Sequence, residues 1–84
     1  MWIRSQDKEI LAECNVFIVS PSENNGFYIY ADSEGEKVYL GHYSTREKAL
    51  KVLDIIQECI ESDETSRYYT VFQMPQDIKV IKNE

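Results

Sequence analysis

From residue 2 to residue 20 the chain alternates apolar and polar positions in short runs, and these predict strands rather than helix. The first run, 2–6, places Trp2, Arg4 and Gln6 on one face and Ile3 and Ser5 on the other. Trp2 carries the largest single apolar surface of a small domain, so it is expected in the core. Asp7, Lys8 and Glu9 read as a tight polar turn. Residues 10–14 and 16–20 follow as one bent strand or two, with Asn15 at the bend. The stretch 20–26, Ser-Pro-Ser-Glu-Asn-Asn-Gly, is the strongest loop signal in the chain.

Residues 27–31 are aromatic and β-branched, as are parts of 37–43, and they predict an antiparallel hairpin. Its loop, 32–36, contains Gly35 to supply a positive φ. The pattern then changes period. Ala49, Val52, Leu53, Ile56 and Ile60 recur at spacings of three and four, with Cys59 at the edge of the stripe, and predict one amphipathic helix over about 45–61. Ser44 and Glu47 match a capping box, in which each side chain accepts the other's backbone N–H. After a polar run at 62–66, residues 67–74 predict a last strand ended by Pro75. Ile78, Val80 and Ile81 add a further short strand or helical turn, and 76–84 reads as a frayed tail.

Strands followed by one helix and a returning strand predict an α+β fold: an antiparallel sheet of about five to six strands packed on one main helix. The stripe on the helix is expected to meet Ile18, Ile29, Val38, Leu40 and Val71. With 84 residues the chain is one domain, 1–84, too small to combine a complete core with a large catalytic cleft.

The charge narrows the partners. The formal net charge is −6, and the nine basic residues are scattered among fifteen acidic ones. Nucleic acid and anionic membranes require clustered Lys and Arg, so neither is expected as a partner. No apolar segment follows Met1 as in a secretory signal, and no apolar run approaches membrane-spanning length, which points to the cytoplasm. There Cys14 and Cys59 are expected to be reduced, small and partly buried.

Candidate chemistry is sparse. His42 is the single histidine, and neither cysteine stands in a reactive local context, so no catalytic residue is assigned. Cys14, His42 and Cys59 lack metal-ligand spacing, and no metal is assigned. Asp32, Glu34 and Glu36 alternate, but a calcium loop opening at Asp32 would need Gly at its sixth position, where Lys37 stands, and Glu at its twelfth, where Tyr43 stands. No glycine-rich phosphate loop is present, and no cofactor is assigned. The aromatic residues are the exception. Tyr28 and Tyr30 share one face of their strand, and Tyr39 and Tyr69 lie in neighbouring runs. These four tyrosines form a candidate interaction surface, weighed against simple cross-strand packing.

The opening Met1-Trp2-Ile3-Arg4-Ser5-Gln6-Asp7, the block running from Leu40-Gly41-His42-Tyr43 through Val52-Leu53-Asp54-Ile55-Ile56, and the closing Phe72-Gln73-Met74-Pro75 are distinctive together. They resemble a group of small uncharacterised proteins of Gram-positive bacteria and their phages that begin MWIRSQD, carry an LGxYxTxExAxxVLDxI strand–helix segment, and end near YxMP. The resemblance spans residues 1 to about 75 and is weakest over 20–26. It implies a bacterial or phage origin, a cytoplasmic setting and a non-enzymatic role, and it supplies no site residue. Residues and resemblance together lead to a small protein-interaction module that binds another protein or itself as a homodimer. The alternative is an acidic decoy or inhibitor of a nucleic-acid-binding protein. A small-molecule ligand is left open.

Overall fold

The computed structural model describes residues 1–61 and 71–77. Among these residues six strands and one helix follow in the order β1 (Trp2–Arg4), β2 (Leu11–Glu13), β3 (Val16–Pro21), β4 (Phe27–Ser33), β5 (Glu36–Tyr43), α1 (Arg46–Glu61) and β6 (Val71–Gln73). The fold is α+β. The strands do not form one antiparallel sheet of five or six, as the pattern suggested, but two sheets of three, ordered β2-β1-β6 and β3-β4-β5. The run that offered one bent strand or two is divided between them, β2 in the first sheet and β3 in the second. The pairing of β1 with β6 is parallel. Nearly the whole chain lies between these two strands, so no tight hairpin dictates their relative direction.

Local chemistry explains the turns. Between β1 and β2 the Ser5 hydroxyl donates to Asp7 Oδ1 at 2.6 Å, and the same oxygen accepts the Glu9 N–H at 2.9 Å. Lys8 takes φ +70° at the apex, and the Ser5 N–H closes the turn on the Ile10 carbonyl at 2.8 Å. The β4–β5 connection is tighter than a five-residue loop. Ser33 pairs with Glu36, leaving Glu34 (φ +53°) and Gly35 (φ +87°) as a two-residue turn with positive φ at both positions. That geometry matches the right-handed twist of the flanking strands.

Helix α1 lies on β3, β4 and β5. Ala49, Val52 and Ile56 are buried from it, against Ile29, Ala31, Leu40 and Tyr43 of the sheet, and Ile3, Cys14 and Met74 extend the same core toward the first sheet. Several expected core positions fall elsewhere. Ile60 is 51% exposed, and Ile18 (36%), Val71 (48%) and Trp2 (43%) stand on outer faces. Alternation separates two faces of a strand but does not say which one meets the helix.

The helix also starts one residue later than a Ser44 cap requires. Thr45 Oγ1 accepts the Lys48 N–H at 3.1 Å, and the Thr45 carbonyl accepts the first intrahelical bond, from Ala49 at 3.2 Å. Thr45 is therefore the N-cap, and Glu47 does not complete a box with Ser44. Asp77 takes that place from beyond β6. Its Oδ1 accepts the Ser44 N–H at 2.7 Å and the Ser44 hydroxyl at 3.2 Å, and Lys48 Nζ lies 3.4 Å from Oδ2. Partial burial raises the Asp77 pKa, but the two Ser44 donors and the Lys48 ammonium outweigh it and hold the carboxyl below the usual Asp range.

Candidate functional site

The outer face of β3–β4–β5 points away from the helix. Tyr28 and Tyr30 reach it from β4 by simple alternation, and Tyr39 reaches it from β5. The next residues of β5 break the alternation. Register runs Tyr30↔Tyr39 on one side and Ile29↔Gly41 on the other, so Leu40 is an extra residue, a β-bulge. The bulge shifts every later side chain to the opposite face. His42 turns outward to stand across from Tyr28, and Tyr43 turns inward to become fully buried.

The bulge is held from outside the sheet. The Gln6 N–H donates to the Leu40 carbonyl at 2.7 Å. Gln6 Oε1 accepts the His42 N–H at 2.9 Å, and Gln6 Nε2 donates to the His42 carbonyl at 3.2 Å and the Pro75 carbonyl at 3.1 Å. One glutamine thus ties the chain after β1 to β5 and to the segment after β6. The Tyr43 hydroxyl reaches the same Pro75 carbonyl at 2.7 Å. Burial, and then the nearby Asp77 charge, push the Tyr43 hydroxyl far above its ordinary pKa, so it stays a donor.

On the exposed side the rings touch in sequence. Tyr28 and Tyr39 meet edge to face at 5.3 Å between centroids, Tyr30 and Tyr39 are tilted at 5.6 Å, and Tyr28 meets the His42 ring at 5.0 Å. Lys37 Nζ stands 4.9 Å from the centre of the Tyr30 ring. Tyr39 is 50% exposed, as is Val16 beside the cluster. Tyr28 and Tyr39 line an open groove of about 540 Å³ together with the end of β3 (Ser20, Pro21) and the loop that follows it (Ser22 to Asn24).

His42 has a structural place in this face. Its Nε2 lies 2.9 Å from the Asn25 carbonyl, an acceptor, so that nitrogen carries the proton. The ring closes over Gly26 (φ +83°), where a Cβ would come within 2.6 Å of His42 Cε1 and of the Tyr43 carbonyl oxygen. Cys14 is buried, and burial raises its thiol pKa; the Glu13 charge adds to the rise while the terminal ammonium opposes it. Neither cysteine is bridged. Among the described residues no three His, Cys, Asp or Glu side chains gather as a metal-binding group, and no helix is long and apolar enough to cross a membrane.

Of the four tyrosines singled out from the sequence, the structure brings Tyr28, Tyr30 and Tyr39 onto one face in ring contact. Tyr69 lies outside the described residues. Sequence reasoning missed His42 as a member of this face. The signal was Gly41 directly after Leu40, because a glycine inside a strand marks a bulge. Compared with protein-family models, curated proteins and solved structures, the chain matches none.

Proposed function

We propose that the chain is a non-enzymatic protein-interaction module that takes a cationic segment of another protein on its tyrosine face. The observation that carries this reading is the Tyr28–Tyr39–Tyr30 cluster with the Lys37 ammonium seated over Tyr30. Tyrosine offers contact area at low entropic cost, and its ring face attracts Lys and Arg by about 0.5–2 kcal/mol. The net charge of −6 steers a basic partner toward the domain and repels phosphate backbones. The bacterial or phage setting implied by the MWIRSQD opening belongs to the same proposal.

The test is capture from a nuclease-treated bacterial lysate by the wild type, Tyr39→Ala and Tyr39→Phe. Tyr39 is half exposed, so neither change threatens the core. A partner bearing a Lys- or Arg-rich segment should be held by the wild type and by Tyr39→Phe, and lost with Tyr39→Ala by at least about tenfold in affinity. A partner retained equally by Tyr39→Ala refutes the reading.

A second reading, an acidic decoy of a nucleic-acid-binding protein, is favoured by the solvent face of α1. Glu47, Asp54, Glu58 and Glu61 are all exposed, and their offsets of about seven, four and three residues keep them on one helical stripe. Under this reading a partner that itself binds nucleic acid is captured, is released by salt, and is lost with Asp54→Lys/Glu58→Lys while Tyr39→Ala retains it.

A further inference from the structure

The outer face of the β2–β1–β6 sheet carries a second apolar patch, separate from the tyrosine face. Register puts Trp2 beside Glu13 on β2 and Val71 on β6, and Arg4 beside Leu11 and Gln73. These side chains share one face, and Trp2, Leu11 and Val71 are 43%, 52% and 48% exposed. A half-exposed Trp with an Arg two residues along the strand is the composition found at the centres of interfaces, whereas an isolated surface apolar residue needs no explanation.

The charges on the patch identify the occupant. Among the described side chains of this face the charged ones are Arg4 and Glu13, at opposite corners of the quadrilateral formed with Trp2 and Leu11. With strands about 4.8 Å apart and about 3.4 Å of rise per residue, Arg4 and Glu13 stand roughly 8 Å apart on the diagonal. A two-fold axis parallel to the sheet, above this face and perpendicular to that diagonal over its midpoint, exchanges the two corners. It sets Arg4 against Glu13 of a second copy twice over, brings the two Trp2 rings together, and lays Leu11 on Leu11. The surface is its own complement, which is the requirement for an isologous interface. Glu13 is available for this: its contact with the terminal ammonium is long, 3.8 Å, and its side chain is 60% exposed. Arg4 donates through Nε to the Lys8 carbonyl at 2.9 Å, a bond that leaves the two terminal nitrogens of the guanidinium to other acceptors.

We propose that the domain forms a two-fold homodimer through this face, with Trp2 at its centre and reciprocal Arg4–Glu13 pairs on either side. The tyrosine face lies on the other sheet and stays open for a different partner.

Analytical ultracentrifugation over a concentration series tests this, with Trp2 emission as a second readout, since the chain holds a single tryptophan. The wild type should pass from monomer to dimer, with a blue shift of the emission over the same range. Arg4→Glu and Glu13→Arg should each weaken the dimer at least about tenfold by placing like charges together. The double swap Arg4→Glu/Glu13→Arg should restore it, Trp2→Ala should abolish it, and Tyr39→Ala should leave it intact. Circular dichroism shows whether each variant is folded. A wild type that stays monomeric to millimolar concentration overturns the proposal. So does a dimer indifferent to Trp2→Ala, and so does failure of the double swap to recover what the single changes lose.

Discussion

Gln6→Ala removes the three side-chain hydrogen bonds that join the chain after β1, the bulge of β5 and the segment after β6. The two bonds to His42 lie at the surface, where water replaces them, so each contributes at the low end of the usual range, about 0.5 kcal/mol. The bond to the Pro75 carbonyl is partly buried and worth about 1 kcal/mol. That carbonyl keeps the Tyr43 hydroxyl, so no buried acceptor is orphaned. The Gln6 N–H to the Leu40 carbonyl is backbone and survives the change. The loss is therefore about 2 kcal/mol, which for a domain of this size lowers Tm by about 8–16 °C. Thermal and urea unfolding followed by circular dichroism measure it, with an unchanged urea slope as the sign that the same surface is still buried. Tyr43→Phe acts on the same carbonyl from the other side. The double variant should lose more than the two single losses combined, because only then does the Pro75 carbonyl lose both of these donors. A drop of less than about 2 °C for Gln6→Ala, or strict additivity with Tyr43→Phe, would refute the idea that Gln6 clasps the two sheets.

Two further outcomes follow from the start of the helix. Thr45→Ala should cost about 1 kcal/mol in urea unfolding, while Glu47→Gln should change stability by less than about 0.5 kcal/mol; the reverse order would restore Ser44 as the cap. The Asp77 carboxyl has its pKa depressed in the folded state, so its contribution is fully present above the unfolded value of 3.8 and is lost as pH falls through the lower folded value. Urea midpoints should therefore fall more steeply for the wild type than for Asp77→Asn below pH 3.8. Asp7, also depressed by the Ser5 hydroxyl and then the Glu9 N–H, leaves a residual slope in both proteins. Parallel curves for the two proteins would show that Asp77 is not linked to folding.

The sequence alone settled what local chemistry settles. Period-three-and-four spacing placed the helix within a residue of its observed start, and alternation with turn residues located every described strand. The i, i+2 relation of Tyr28 and Tyr30 put them on one face whatever that face met. Only the tertiary structure decided how the strands were shared between sheets, since the β1–β6 pairing joins residues about seventy positions apart and no turn encodes its direction. It decided that Trp2, Ile18 and Val71 face outward, because alternation defines two faces of a strand and leaves the choice to what packs against them. It decided that Asp77, thirty-three residues from Ser44, supplies the carboxylate a capping box would take from Glu47. The bulge at Leu40 lies between these cases. Gly41 marks its place in the sequence, but the shift that sends His42 out to the tyrosines and Tyr43 into the core is held by Gln6, in the turn after β1, which takes up the backbone groups around the bulge.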